Sequence, residues 1–427
     1  MDLPPVRGEQ GLLPETVLTC PLNHTMRIGI IGNGLAGVMA AKTLRESGFP
    51  GEIVIFAREK HHYYPRPNLI EFMAGNLPEK RLFAFPPDWY EARGLQVRLA
   101  TPVQRILNEP LAVELGDGRR EGFDTLLLAD GALSFLPPIQ GVDRPGVFTL
   151  RTRDDAQAIL DYLQNHRRAA ILGGGLLGLE TARALKARGA DVLVVEFFDR
   201  LLPRQLDAPG ALILKSQIEA MGIKVRLGTT TEEILGSDRA AGLRFRDGGT
   251  AAAELVVVAA GVKPSLNLAK EAGLTIDRGV VVDDFLRTTH PRIFAAGDNV
   301  QHQGRVYGII PAAFEQSQAV ARNILGQSQA YRGTVPSNTL KVMGIYVTSA
   351  GLAVPQGEGF EELRREDPER GLYKKIVLQS GRLVGAIWMG TREGADQIVR
   401  ASAQRADVSK WKEALLTDGF DFSQIGK

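Results

Sequence analysis

Two glycine-rich loops, each placed directly after a short apolar run, constrain the fold of this 427-residue chain more than any other feature. The first loop is residues 32–37 (GNGLAG), and the second is residues 173–178 (GGGLLG). After each loop comes a helical stretch and then a second apolar run, at 52–56 and at 191–196. Strand, glycine turn, helix and strand therefore occur twice, with the two loops starting 141 residues apart. This repeat predicts an α/β chain with two parallel sheets covered by helices.

The spacing of the glycines within each loop predicts two sites for dinucleotides. In such a loop the first glycine permits the tight turn, the second lets the backbone approach a pyrophosphate, and the third lets the helix pack on the strand. The helix then presents unpaired N–H groups and a partial positive charge to the phosphates. A single loop of this kind can serve packing alone, but two copies in the same context favour two bound dinucleotides. The glycines concerned are Gly32, Gly34, Gly37, Gly173, Gly175 and Gly178.

A carboxylate follows the second loop at the distance expected for a ribose contact. Glu196 ends the second apolar run 23 residues after Gly173. A carboxylate there accepts two ribose hydroxyls and repels a 2′-phosphate, so NADH is preferred over NADPH. A solvated charge at the end of a strand is the alternative interpretation, and Arg200 is near enough in sequence to favour a phosphate instead. After the first loop the nearest acid is Glu59, at a longer spacing.

Composition excludes several kinds of chemistry. The chain contains one cysteine, Cys20, so it can form neither an intrachain disulfide nor a Cys-ligated zinc or iron–sulfur site. We expect no metal ion, since His61 and His62 have no third ligand at a suitable spacing. A formal net charge of +2 with no basic stripe argues against nucleic acid.

We expect no targeting signal within this sequence either. No segment offers about 18 uncharged apolar residues, so we expect no membrane insertion. Residues 1–25 are expected to be a loosely ordered arm, and the cytoplasm is the default location.

Three further segments complete an ordered set of motifs. They are residues 127–132 (LLADGA), residues 257–264 (VVAAGVKP) and residues 293–298 (IFAAGD). Together with the paired loops, this set resembles the pyridine nucleotide–disulfide reductase superfamily of flavoproteins. The resemblance implies two Rossmann-like three-layer dinucleotide-binding domains, one for FAD and one for NAD, and the sequence adds a small α+β C-terminal domain.

The domain boundaries follow from the order of these motifs. We predict an N-terminal arm (1–25), a first part of the FAD domain (26–149), an NAD domain (150–278), a second part of the FAD domain (279–333) and the C-terminal domain (334–427). In the C-terminal domain we expect a β-hairpin of 373–378 and 383–389, with helices at 394–404 and 410–416. The charged run 358–370 is interpreted as a solvated linker, and Trp388 as a core residue.

Residues 59–69 look like the flavin-side loop of NADH:rubredoxin reductases within that superfamily. The segment from residue 335 to residue 385 resembles a C-terminal module shared with the flavin region of NADH-dependent nitrite reductases. The resemblance implies FAD and NADH as cofactors, and a small redox carrier (rubredoxin, flavorubredoxin or ferredoxin) as partner. It also implies that Asp298 holds the ribityl chain of FAD. Pro311 would begin a helix that faces the flavin.

The reaction that this resemblance implies needs no catalytic side chain. Hydride passes from NADH to FAD when the rings stack, and electrons then pass to the carrier, so the protein supplies orientation. We therefore expect cofactor-binding residues only, without an acid–base group. Besides the six loop glycines, the predicted set is Leu35, Ala36, Glu59, Arg66, Val103, Ala129, Gly131, Glu180, Glu196, Gly261, Gly297, Asp298 and Pro311.

The sequence departs from its relatives in two ways that leave alternatives open. Disulfide reductases of the superfamily carry a CxxC pair, which is missing here. Many ferredoxin-reductase relatives have a lysine where this chain has Glu71, so Glu180 lacks the partner it has in them. The alternatives are an NADH-linked flavin component of a nitrite- or oxygen-reducing system, and a redox-responsive protein that binds FAD and NAD without turnover. The oligomeric state is not specified by the sequence.

Overall fold

The computed structural model of the chain describes residues 25–334 and 337–425. Cys20 and nearly all of the predicted arm lie outside these residues. The strands, numbered in chain order, are β1 Arg27–Ile31, β2 Glu52–Phe56, β3 Leu95–Arg98, β4 Val103–Asn108, β5 Leu111–Leu115, β6 Arg120–Gly122, β7 Thr125–Leu128, β8 Ala132–Ser134, β9 Val147–Phe148, β10 Arg168–Leu172, β11 Asp191–Val195, β12 Lys224–Arg226, β13 Thr231–Leu235, β14 Gly242–Phe245, β15 Thr250–Ala252, β16 Leu255–Val258, β17 Val262–Pro264, β18 Val280–Val282, β19 Ile293–Ala295, β20 Val300–His302, β21 Ser337–Val342, β22 Ile345–Gly351, β23 Glu361–Asp367, β24 Leu372–Gln379 and β25 Arg382–Met389.

The α-helices connect these strands and pack on the sheets. They are α1 Leu35–Glu46, α2 Asn68–Ala74, α3 Pro87–Glu91, α4 Arg153–Leu163, α5 Leu176–Ala187, α6 Ala208–Ala220, α7 Asn267–Glu271, α8 Ile310–Ile324 and α9 Ala395–Ala403. Across residues 25–334 and 337–425, no helix combines the length and the apolar character that crossing a bilayer requires.

Two five-stranded parallel sheets form the centre of the fold. The first has the strand order β19-β7-β1-β2-β3, and the second has the order β12-β11-β10-β16-β9. The central strands β1, β7, β10 and β16 are almost completely buried, as expected for parallel strands covered on both faces. The predicted α/β class is confirmed. The second sheet takes in β9, so the chain joins it at Val147, shortly before the boundary predicted at 149/150.

Smaller sheets flank the two parallel ones. β4, β5 and β6 form an antiparallel sheet beside the first, and β13, β14 and β15 form one beside the second. The chain passes from the first sheet towards the second along β8 and returns along β17. These two strands pair antiparallel, with Leu133 opposite Lys263. Both passages of the chain between the sheets therefore lie side by side.

The C-terminal residues form a separate antiparallel sheet of order β21-β22-β25-β24-β23, with α9 packed on it. The predicted hairpin is present as β24 and β25, and Trp388 is completely buried. Two expectations were wrong. The charged run 358–370 contains β23, an edge strand whose charged side chains keep the edge in solvent. Within 410–416 the structure has a short 3₁₀ turn at Ala414–Leu416 instead of an α-helix, and its buried residues are Leu415 and Leu416.

The third glycine of each loop packs the following helix against its strand. A Cβ atom added to Gly37 would overlap the carbonyl oxygen of Gly32. A Cβ atom added to Gly178 would overlap the carbonyl oxygen of Gly173 in the same way. Real Cβ atoms do not approach backbone so closely, so each helix can lie at this distance only with glycine there.

Candidate functional site

One continuous cavity of about 1890 Å³ lies at the carboxyl ends of the central strands and reaches both glycine loops. Ligands of open α/β sheets bind at this edge of the sheet. The end of β1 and the segments after β7 and β19 line one part of the cavity, and the ends of β10 and β11 and the segment after β16 line the other. A single opening therefore joins the two predicted dinucleotide positions.

Most of the predicted site residues line this cavity. They are Gly32, Gly34, Leu35, Ala36, Glu59, Arg66, Val103, Ala129, Gly131, Gly173, Gly175, Glu180, Glu196, Gly261, Gly297 and Asp298. Gly37 and Gly178 lie behind the wall, where they pack the helices. Pro311 is the second residue of α8, and its neighbours Ile310 and Ala313 line the cavity in its place.

The second glycine of each loop leaves the space that a pyrophosphate requires. A Cβ atom added to Gly34 or to Gly175 would meet no other atom within 4 Å. Each of these glycines immediately precedes the first turn of its helix, α1 or α5. Open space beside unpaired helical N–H groups fits an anionic diphosphate. The residues present therefore fit two dinucleotides, one at each loop.

Glu196 is held in place by backbone N–H groups at the end of β11. The N–H of Gly174 donates to its Oε2, and the N–H of Phe198 donates to its Oε1 at 2.8 Å. The residue is only 5% exposed, yet it lines the cavity. Each carboxylate oxygen retains a further lone pair, which can accept a hydroxyl of a bound ribose. The ribose contact at Glu196 stays a prediction.

Glu59 is committed to neighbours within the chain. Arg66 Nη2 donates to its Oε1 at 2.6 Å, and the hydroxyl of Tyr64 donates to its Oε2. Arg66 also donates to the carbonyl of Arg151 at 2.7 Å, so it ties the loop after β2 to the start of α4. Burial raises the pKa of the Tyr64 phenol, which remains protonated and able to donate. Glu59 therefore orients Arg66 at the cavity wall.

Asp298 faces the cavity at the carboxyl end of β19 and forms an ion pair with Arg151, with Nη2 and Oδ2 3.1 Å apart. The preceding N–H, of Gly297, donates to Gln316 Oε1 at 2.8 Å. Gln316 is on α8, so this bond fixes the helix to the Gly297–Asp298 turn. The second carboxylate oxygen of Asp298 can accept from a sugar hydroxyl, as the ribityl contact requires.

Sequence reasoning missed the pair formed by the half-buried Asp130, which lines the cavity, and the buried Asn299. Asn299 Nδ2 donates to Asp130 Oδ1 at 2.8 Å, and Asp130 Oδ2 is buried without a hydrogen-bond partner among the described residues. Burial raises the pKa of Asp130 to about 6, although Ser265 and Asn299 oppose the shift. The signal available in the sequence was the polar residue at the end of the buried strand β7.

Glu180 pairs with a cation of its own helix, Arg183, which sequence reasoning missed. Arg183 pairs with Glu180 at 2.9 Å and also with Glu71 on α2. The backbone N–H of Met343, in the turn between β21 and β22, donates to Glu180 Oε1 at 2.7 Å. Glu180 does lack a lysine at position 71, and Arg183, one helical turn further along α5, pairs with it instead. Helix α2, helix α5 and the C-terminal sheet are thus joined at this point.

The paired histidines belong to the loop that lines the cavity. His61 Nε2 lies 3.2 Å from Asp154 Oδ1, and His62 stacks on Tyr90 with ring centroids 4.7 Å apart. Among the described residues no group of three or more potential ligands could hold a metal ion.

Two parallel sheets with phosphate-binding loops opening into one cavity define a protein that brings two dinucleotides together. Comparison with known families agrees: residues 26–317 match the pyridine nucleotide-disulphide oxidoreductase family. The chain belongs to that family. This match confirms the superfamily that the motifs of the sequence resemble. Residues 336–404 match the rubredoxin NAD⁺ reductase C-terminal domain.

Individual relatives are of two kinds. The chain is 36% identical over 383 residues to the nitrite reductase [NAD(P)H] of Bacillus subtilis, covering 89% of this chain and 48% of that protein. It is 31% identical over 369 residues to the NADH-rubredoxin oxidoreductase of Clostridium acetobutylicum, covering 86% of this chain and 93% of that protein.

A solved structure shows the same fold. The covalent putidaredoxin reductase–putidaredoxin complex contains a chain that is 26% identical, with a TM-score of 0.84, covering 94% of this chain and 98% of that one. By contrast, the chain spans about half the length of the nitrite reductases that it matches, between 42% and 48% of each.

Proposed function

We propose that the chain is an FAD-dependent NADH:acceptor oxidoreductase that delivers electrons to a small carrier protein such as rubredoxin. The observation that carries this proposal is the continuous cavity that joins both glycine loops. The single cysteine of the sequence leaves no thiol pair to relay electrons between the two cofactors. A relative of nearly the same length, the NADH-rubredoxin oxidoreductase, supports the choice of acceptor.

When bound, FAD supplies the conversion between a hydride donor and a one-electron acceptor. The residues of this chain bind and orient the cofactors. Asp298, fixed by Arg151, would hold the ribityl chain, and the first turn of α8 presents its partial positive charge to the same part of the cavity. Glu196 would hold the ribose of NADH, since two backbone N–H groups fix its carboxylate at the cavity wall.

The cluster of Glu71, Arg183 and Glu180 would fix the walls between the two cofactor positions. One guanidinium contacts both carboxylates, and both carboxylates line the cavity. A bidentate or shared guanidinium of this kind holds its partners in a defined geometry. The N–H of Met343 ties the C-terminal sheet to the same cluster, so that sheet is positioned beside the cavity.

Stopped-flow kinetics test the proposal directly. The protein is reduced with NADH and then mixed with rubredoxin, with a ferredoxin or with oxygen, while the absorbance of the flavin is followed. We expect a carrier protein to reoxidise the flavin faster than oxygen does. If oxygen is faster than every carrier tested, the carrier function is wrong.

A second candidate is the NADH-linked flavin component of a nitrite-reducing system. It is favoured by the nitrite reductases, which align with about nine-tenths of this chain. Electron delivery to a nitrite-reducing partner, with no carrier reduced, would support it. A redox-responsive binding protein would bind FAD and NAD but fail to reduce any dye at several turnovers per second with NADH. A cytoplasmic location remains a prediction from the sequence.

A further inference from the structure

Asp207 joins helix α6 to the C-terminal sheet. Its Oδ1 accepts from the N–H of Gly210 at 3.3 Å, which caps the start of α6. Its Oδ2 accepts from the hydroxyl of Tyr373 at 2.7 Å and from Nζ of Lys375 at 3.0 Å. Tyr373 and Lys375 are two positions apart on β24, so their side chains lie on the same face of the sheet. One oxygen of the carboxylate therefore binds the helix, and the other binds the sheet.

The side chains that the sheet contributes to this contact are withdrawn from solvent. Tyr373 is completely buried, and the side chain of Lys375 is 3% exposed. Burial raises the pKa of the Tyr373 phenol, which stays protonated and able to donate. Removing one member of a buried ion pair leaves the other charge without compensation, so separating Lys375 from Asp207 is costly. The C-terminal sheet thus holds Asp207 in one position.

The residues that precede Asp207 form part of the cavity wall. Residues 203–205 line the cavity together with Glu196. Just before them, the N–H of Leu202 donates to the carbonyl of Gly174 in the second glycine loop at 3.1 Å. The N–H of Gly174 in turn donates to the carboxylate of Glu196. The wall segment 203–205 is therefore fixed at both ends, by the glycine loop on one side and by Asp207 on the other.

We propose that Tyr373 and Lys375 are positioning residues for NADH, because they hold Asp207 and so keep the wall segment 203–205 against the second glycine loop. Neither Tyr373 nor Lys375 lines the cavity, so they act on the coenzyme through this segment. The C-terminal sheet then sets the affinity for NADH without contacting it. This role rests on the proposed binding of NADH at the second loop, whereas the electron acceptor plays no part in it.

Two measurements on the FAD-loaded protein test this role. Calorimetric titration with NAD⁺ gives the affinity, and stopped-flow reduction by NADH gives the limiting rate at saturation. We expect Tyr373→Phe to raise the Kd for NAD⁺ about three- to fivefold, as for loss of one hydrogen bond. Lys375→Met should raise it about tenfold or more, since it leaves Asp207 without its charged partner. The limiting rate of flavin reduction should stay within about twofold, because the variants weaken binding and leave the reacting rings unchanged.

Lys374→Met is the matched control. Lys374 is also almost completely buried on β24, but it lies on the opposite face of the sheet. Its partners Asp418, with Nζ and Oδ1 3.2 Å apart, and Trp388 both belong to the C-terminal domain. We expect Lys374→Met to lower the unfolding temperature while NAD⁺ binds as in the unchanged protein.

The outcomes separate this role from a general loss of stability. The inference is overturned if Lys374→Met weakens NAD⁺ binding as much as Lys375→Met does. Tyr373→Phe removes a single oxygen atom, so it tests the same contact if Lys375→Met fails to fold. Normal NAD⁺ binding by Tyr373→Phe would overturn this role alone. An unchanged protein that bound no NAD⁺ would overturn both this role and the proposed function.

Discussion

Alanine substitutions at the second and third glycines of the second loop should have different effects. We expect Gly178→Ala to lower the stability of the protein and Gly175→Ala to weaken its binding of NAD⁺. At Gly178 the added Cβ atom would overlap the carbonyl oxygen of Gly173 and lie 3.0 Å from its carbon and 3.3 Å from Ile171 Cγ2. The atoms that would have to move are backbone and a buried strand side chain, so α5 must shift. Overpacking of this kind costs roughly 3 kcal/mol, which lowers the midpoint of thermal unfolding by about 6–12 °C in a domain of 150–250 residues.

At Gly175 the same substitution meets no atom within 4 Å. Its backbone has a φ of −79° and a ψ of −177°, which alanine adopts readily. We therefore expect Gly175→Ala to change the stability by less than about 1 kcal/mol. The methyl group would instead occupy the space of the pyrophosphate, so the affinity for NAD⁺ should fall by about tenfold or more.

Circular dichroism during heating and calorimetric titration with NAD⁺ measure the two effects separately. Gly178→Ala should mainly lower the unfolding temperature, and Gly175→Ala should mainly weaken NAD⁺ binding. Gly34→Ala is a matched control, because it makes the same change at the FAD side and should reduce flavin content instead. The reasoning fails if Gly175→Ala destabilises the protein as much as Gly178→Ala does, or if it binds NAD⁺ normally.

Three further predictions concern carboxylates. Glu196→Ala should weaken the binding of NADH more than that of NADPH, because only NADH benefits from the carboxylate; unchanged preference in calorimetric titrations would contradict this role. Asp298→Ala should be purified with less FAD, as measured by the ratio of flavin to protein absorbance, and full occupancy would argue against the ribityl contact. Burial raises the pKa of Asp130 to about 6, so the folded protein loses stability as the pH rises from about 4 to 6. At pH 7, Asp130→Asn should be more stable than the unchanged protein by up to about 3 kcal/mol. In thermal melts below pH 4 this gain in stability should vanish. An equal gain at both pH values would refute the raised pKa of Asp130.

Local patterns predicted the features that depend on neighbouring residues. The glycine loops, the helices after them and the buried strands all follow from spacing and hydrophobic runs, and the α/β class followed from their order. The hairpin of β24 and β25 was also visible, because two apolar runs flank a short turn at residues 379–381. Each of these signals lies within about thirty residues of chain.

Long-range contacts between charged residues were not accessible in this way. Arg183 and Glu71 are 112 positions apart, and nothing local indicates that α2 and α5 lie together. Glu59 was selected because an acid was sought after the first loop, yet its carboxylate is taken by Arg66.

The antiparallel pair of β8 and β17 has a consequence for protein engineering. Because the two strands lie next to each other, residues 135–261 are connected to the rest of the chain only through this pair of adjacent strands. Such a segment can be exchanged as a cassette for the corresponding segment of a relative with a different coenzyme preference. The graft would require only two junctions, and the hydrogen bonds between Ala132–Ser134 and Val262–Pro264 would keep both in register.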